Sequence, residues 1–281
     1  MMSMADDAGK AEIPALFGKP TPARMYDYYL GGKDNFEVDR AAADLLIDRL
    51  GVEKTRYVAW ENRRFLWRTV EYLSAECGIS QFIDVGAGLP TMRNTHEIAQ
   101  QVNPDARVVY VDNDPIVLSH GRARLARNGS TVILTADMRE PEAILDAAET
   151  KSLIDFSQPV GVLFIAVLHF AASPGHPRYV PGHADPSEIV AAFRDRVVPG
   201  SHVAFTHAVH GQSEENVAFA QDGYKSATSP LVIRRRSEIE ALFDGWRLVP
   251  PGVVPAWQWR SGPEESPRTG IMLGGVGVKD A

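Results

Sequence analysis

Hydrophobic positions along this chain fall into two rhythms. Over residues 56–76, Phe65, Leu66, Thr69, Val70 and Leu73 recur at helical spacing and share one face. From residue 81 onward, short apolar runs at 81–85, 107–111, 131–135, 160–167 and 202–206 alternate with helical stretches. The run at 160–167 is apolar nearly throughout, which predicts a strand covered on both faces. Asp114-Pro115, Pro141 and Asp185-Pro186 mark helix starts between the runs, and Ile189, Val190, Phe193 and Val197 give the last helix a buried side. Repeated β-α units predict a mostly parallel sheet with helices on both faces. Residues 246–249 and 270–278 read as two closing strands, a hairpin around a long 250–268 loop.

The first fifty-five residues do not follow that alternation. Residues 1–20 predict a flexible N-terminus whose large apolar groups are Ile13, Leu16 and Phe17. Thr21-Pro22 supplies a capping hydroxyl and a first-turn proline, and Gly31-Gly32 closes the helix that follows. A second helix over 41–50 stops at Gly51. The organisation expected is therefore a helical cap at 21–55 and one large α/β domain at 56–281. The Pro- and Gly-rich segments 171–186 and 250–268 read as long surface loops, which are often functional.

Composition narrows the classes. The 281 residues, 44% hydrophobic and 23% charged, suit a soluble globular protein. A net charge of −7 argues against a nucleic-acid surface. Cys77 is the single cysteine, so a disulfide within the chain and a Cys-rich zinc site are excluded. No apolar run approaches the ~20 residues that span a bilayer, and residues 1–12 lack a signal-peptide core. The reading is cytoplasmic, with no membrane and no nucleic acid as partner.

Chemistry concentrates at the ends of the first three runs. The first ends Asp84-Val85-Gly86-Ala87-Gly88-Leu89-Pro90-Thr91, an acid followed by a glycine turn that brings backbone close to a ligand. Thr91 stands where a dinucleotide fingerprint wants glycine, and Pro90 removes an N–H that a pyrophosphate would use at a helix start. Asp112, with Asn113 after it, ends the second run, where a carboxylate accepts ribose hydroxyls. Asp137-Met138 follows the third, placed to take an adenine amino group and pack on its ring. Helix capping is the competing role for Asp137.

With these acids the chain resembles the class I S-adenosylmethionine-dependent methyltransferases over roughly residues 55–280. Asp84, Gly86 and Gly88 match their first motif, Asp112 their second and Asp137 their third, while Val198-Pro199-Gly200 matches the turn before their fifth strand. A narrower resemblance, carried by residues 23–36, 62–66 and Leu168-His169-Phe170, is to an actinobacterial family of such methyltransferases long classed as a domain of unknown function. The resemblance implies a Rossmann-like, seven-stranded, mostly parallel sheet, S-adenosylmethionine as cofactor, and an unidentified, small-molecule methyl acceptor. Ala87 and Ala166 belong to the implied cofactor site. For the cap, we expect a lid whose Gly32 and Asn35, with Arg63, approach the cofactor's methionine end. Helical packing on the sheet is the equal alternative.

His169 is the candidate general base, against a role in holding backbone or cofactor. The other histidines lack compact zinc spacing, so no metal site is expected. Arg234-Arg235-Arg236 reads as a solvated helix entrance, and Trp257 and Trp259 either frame a substrate pocket or pack under their loop. Two rival functions stay open: an NAD(P)-dependent oxidoreductase, which Asp112 permits, and a non-catalytic S-adenosylmethionine-binding regulator. A nucleic-acid methyltransferase is disfavoured by charge, and a homodimer is compatible with the sequence.

Overall fold

Alternating apolar side chains along each central strand leave both faces of the sheet needing cover, and the chain supplies it. The computed structural model describes residues 18–90, 92–117, 119, 129–211, 213–262 and 268–281. The strands are β1 Gln81–Val85, β2 Arg107–Asp112, β3 Thr131–Thr135, β4 Gly161–Phe164, β5 His202–Ala208, β6 Arg247–Leu248, β7 Val254–Pro255 and β8 Met272–Val278. The helices are α1 Pro22–Tyr29, α2 Glu37–Leu50, α3 Arg56–Ala75, α4 Thr95–Val102, α5 Pro141–Asp146, α6 Ala148–Leu153, α7 Pro186–Arg196, α8 Glu214–Gly223 and α9 Arg236–Ala241.

Sheet order is β3-β2-β1-β4-β5-β8-β6. The first five strands pair in parallel and β8 runs antiparallel to β5. The expected seven-stranded sheet becomes eight strands, because the far side of β8 carries both β6 and the short β7. Ile83, Val109, Val162 and Phe205 face one core with Ile189 and Phe193 of α7, while Phe82, Val108, Leu163 and Ala204 face the other with Phe65, Leu66, Val70 and Leu73 of α3. Adjacent residues alternate between the two cores, as a pleated strand requires.

Three boundaries differ from expectation. Strand β4 ends at Phe164, because Ala166 takes a left-handed φ of 55° and turns the apolar run out of the ladder. Helix α4 begins at Thr95, so Pro90 lies in a loop and not at a helix start. Helix α2 begins at Glu37, where Asp39 reaches back to accept the Phe36 N–H. The expected N-terminal arm through residue 17, Thr91, and most of the helix after Pro115 lie outside the described residues.

The late loop is held by α3. Glu61, buried, accepts the Trp257 N–H at 3.3 Å on one oxygen and the Thr269 N–H at 2.8 Å on the other. Arg68 donates to the carbonyls of Trp259 and Ala256, each at 2.7 Å. Trp259 is fully buried, edge-on to Phe65 and Tyr72. It packs under its loop.

Helices α1 and α2 form a small third core of Met25, Tyr29, Ala43 and Leu46, completed by Ala59 of α3 and by Phe219 and Tyr224 at α8. The cap is tied down by charge as well. Arg24, fully buried, donates from Nε to Asp39 at 2.8 Å, and its NH1 lies 3.5 Å from Asp114 beyond β2. Thr21 adds its N–H to Asp39 and its hydroxyl to Asp114, both at 3.0 Å. Removing one partner from a buried pair strands the other charge. Arg24→Met should therefore cost about 3–5 kcal/mol of stability in urea unfolding; a loss within error of zero would show that the cap does not depend on this pair.

Candidate functional site

Parallel strands leave their carboxyl ends facing one crevice, and here that crevice is roofed by the cap. The result is a continuous cavity of about 810 Å³. It is lined by the ends of β1, β2 and β3, by the bend after β4, and by α1, α2, α3 and α8. That volume is within the range of small-molecule and cofactor sites.

At β1, the chain turns at Gly86, whose φ of 72° an L side chain rarely adopts. A Cβ there would lie 2.2 Å from Val167 Cγ2, so glycine is required by space as well as by angle. The N–H groups of Gly86 and Ala87 both donate to the Val111 carbonyl, at 2.7 and 3.1 Å. Asp84, buried beneath the turn, accepts the Thr95 hydroxyl at 2.6 Å. Burial pushes its carboxyl up to about 6, against the pull of that hydroxyl and of the Arg63 charge.

Asp112 is oriented by backbone alone. Gly88 N–H donates to Oδ2 at 2.8 Å and Asp114 N–H to Oδ1 at 2.9 Å. Each oxygen keeps a further lone pair for the cavity. Burial raises this carboxyl also to about 6, with these N–H groups pulling the other way. Asn113 donates to Asp137 at 3.2 Å. Asp137 accepts the Arg139 N–H and Nε at 2.9 Å and its NH2 at 2.5 Å. Burial alone would raise Asp137, but the Arg139 hydrogen bonds and charge hold it below the usual carboxylate range. Asp137 does not cap α5, whose N-cap position is Glu140. Met138, nearly buried, lines the cavity beside it.

Ala166 also lines the cavity, and its N–H donates to Thr206 Oγ1 at 2.8 Å. The Thr206 hydroxyl in turn donates to Asn62 Oδ1. Asn62 Nδ2 donates to the Tyr26 hydroxyl at 2.9 Å, and that hydroxyl to the Ala59 carbonyl at 2.9 Å. An unbroken hydrogen-bond path thus joins the bend after β4 to α3 and α1. Arg63, one turn position on, reaches the carbonyls of Met92 and Arg93 and Asn94 Oδ1 through NH2. Its Nε is buried without a partner, an N–H awaiting an acceptor.

Two of the expected cofactor contacts do not reach the cavity. Gly32 packs on Asp27, where a Cβ would meet the carboxylate at 1.9 Å. Asn35 donates to Asp27 at 2.7 Å and accepts from Arg40 at 3.0 Å. Neither lines the cavity, so the glycine pair and Asn35 shape the cap internally and do not face a ligand.

His169 does line it, in a form that does not suit a base. Burial, with His207 and Arg234 close by, holds its imidazole well below its ordinary value. Its Nδ1 accepts the Ala208 N–H at 3.4 Å, which leaves the proton of the neutral ring on Nε2. The ring is then a hydrogen-bond donor. Arg234 is buried, against the expectation of a solvated run. It donates to the Ala171 carbonyl at 2.9 Å and to His207 Nε2 at 3.0 Å, bracing the bend after β4 against β5. Among the described residues no three His, Cys, Asp or Glu side chains gather to hold a metal ion.

Several cavity residues escape a reading of the sequence. Arg24, Asp114 and Arg139 orient the strand-end acids, and Tyr29 and Tyr224 form the far wall. Asp114 carried a signal as a helix start, and Arg24 and Tyr29 fall inside the 23–36 motif without a cavity role being read for them. Arg24, Tyr29 and Tyr224 depend on partners distant in sequence, whereas Arg139 reaches Asp137 two residues before it.

The S-adenosyl methyltransferase family matches residues 10–280. A methyltransferase-like protein from Thermobifida fusca is 42% identical, with a TM-score of 0.85, over 95% of this chain and 98% of that one. A DUF574 family protein from Streptomyces avermitilis is 34% identical, with a TM-score of 0.85, over 94% and 98%. Magnesium protoporphyrin IX methyltransferase from Synechocystis, solved with bound S-adenosylhomocysteine, shares the fold at 11% identity and a TM-score of 0.52, over 96% and 100%. No curated protein matches the chain.

The raised acids set a pH dependence. An unfolded Asp titrates near 3.9, so the folded chain holds extra protons between about pH 4 and 6 and these groups lower its stability as pH rises through that window. Asp84→Asn keeps an acceptor for Thr95 and removes one such group. Urea unfolding should show a shallower fall in stability for the variant from about pH 4 to 6; a slope equal to the parent's would contradict the assignment.

Proposed function

The chain belongs to the S-adenosyl methyltransferase family, and from that premise we propose that its cavity holds the cofactor along the ends of β1–β3 and a small-molecule methyl acceptor beneath the cap. The enzyme is an S-adenosylmethionine-dependent methyltransferase on a class I fold. Among the described residues, no helix is long and apolar enough to cross a membrane.

One observation carries the residue assignment: a single cavity gathers Asp84, Asp112 and Asp137 at three successive strand ends with Arg63 across from them. The donor set fits the cofactor. Gly86, Ala87 and Gly88 leave backbone bare at the methionine part, where Asp84 faces an ammonium and the unpartnered Arg63 Nε–H a carboxylate. Asp112, held by the Gly88 and Asp114 N–H groups, takes the ribose hydroxyls. Asp137 and Met138 take the adenine. Ala166 borders the place where the two halves of the cavity meet. When bound, the cofactor supplies an electrophilic methyl group on a positively charged sulfur. The chain's own part is to exclude water, orient the acceptor and hold its geometry; positioning of this kind can supply most of the acceleration. The cap at residues 21–55 acts here together with α8, which completes its core.

Calorimetric titration with S-adenosylmethionine, S-adenosylhomocysteine and NADH tests the reading. The first two should bind and NADH should not. Asp112→Ala removes an acceptor of two ribose hydroxyls and should weaken binding about 10–100-fold. Binding of NADH alone, or an unchanged affinity in the variant, would overturn the assignment.

A further inference from the structure

The acceptor half of the cavity has a chemical bias of its own. Among the described residues, the acids that line the cavity are Asp84, Asp112, Asp114 and Asp137, all at or just beyond the ends of β1, β2 and β3. Away from those ends the lining mixes apolar and aromatic side chains with neutral polar ones such as Asn62, Thr228 and Ser229, and its charged groups there are cations, among them Lys54 and Arg63. Phe170 and Tyr224 stand with ring centroids 5.6 Å apart, tilted at 44°, and the His169 ring lies 4.4 Å from Phe170. Tyr29 pairs its hydroxyl with that of Tyr224. Leu46 and Leu50 close the apolar side on α2.

This composition disfavours some acceptors. An ammonium would give up its hydration with no carboxylate beside it and would face the cofactor's own positive charge. An unactivated alcohol would need a base. His169 is a neutral donor whose imidazole is held below its ordinary range, and burial keeps Tyr224 protonated up to about 12. An acceptor that brings its own acidity needs neither a carboxylate partner nor a strong base.

Resting on the methyl-transfer reading, we propose that this half of the site takes an aromatic molecule bearing an acidic hydroxyl, a phenol or an enol, seated against Phe170 and Tyr224 with its oxygen within reach of the His169 donor. The reaction balances simply. The acceptor oxygen forms its bond to the methyl carbon as the carbon–sulfur bond breaks, and the hydroxyl proton passes to water. The Nε2–H of His169 favours the anionic oxygen that attacks. The product is a neutral aryl or enol ether.

The test uses the full chain saturated with S-adenosylhomocysteine, titrated with naphthol and with naphthylmethylammonium, which share a ring system and differ in the polar group. Naphthol should bind at least about tenfold more tightly. Tyr224→Leu and Phe170→Leu should each weaken naphthol up to about tenfold through lost ring contact, with affinity for S-adenosylhomocysteine unchanged as the sign of an intact fold. Equal or tighter binding of the ammonium overturns the proposal. So does naphthol affinity that neither variant alters, or no naphthol binding to a chain that binds S-adenosylhomocysteine. Failure of S-adenosylhomocysteine itself to bind strikes instead at the methyl-transfer reading beneath it.

Discussion

A guanidinium with no exposure to water sits between two carboxylates that belong to different parts of the chain, and much else depends on it. Arg24 joins α1 to Asp39 of α2 and to Asp114 of the turn after β2. Asp114 also gives its N–H to Asp112. The contact that holds the cap down is therefore one residue pair away from the acid assigned to the ribose. Buried ion pairs contribute little net stability against an apolar substitute, but they penalise any arrangement that separates the partners. The cap can shift only by paying that penalty or by moving the ribose acid with it.

A second connection runs parallel to the first. The bend at Ala166 is bonded through Thr206 and Asn62 to Tyr26. Helix α1 thus touches both ends of the cavity, one through charge and one through neutral hydrogen bonds. With every inner link satisfied, the path fixes one geometry and tolerates few others. The cap is an integral wall of the site, which explains why Gly32 and Asn35 turn inward on Asp27 in place of reaching for a ligand.

How much of this was legible in the sequence follows from what each feature depends on. The strand-end acids stood out because an apolar run that stops at Asp84 or Asp112 has a local cause, and the turn glycines report a backbone angle that is local too. Burial of Arg24 does not announce itself: one arginine on a short helix reads as solvated until Asp39 and Asp114 are brought to it. Arg234 was hidden the same way inside a basic run. The apolar stretch 160–167 was read as one strand because hydrophobicity does not distinguish a ladder residue from a cavity wall, and Ile165, Ala166 and Val167 are the latter. Tyr224 was invisible as a wall because α8 meets the cap only in three dimensions.

One buried carboxylate has a consequence for the outer edge of the fold. Glu61 grips the backbone at Trp257 with one oxygen and at Thr269 with the other, so the chain leaves and rejoins the body at a single fixed clasp. Between those grips the near side of the loop is tied down again, by Arg68 at the Ala256 and Trp259 carbonyls and by Arg260 at Glu76. A change at this one carboxylate is therefore felt both at the approach to Trp259 and at the entry to β8.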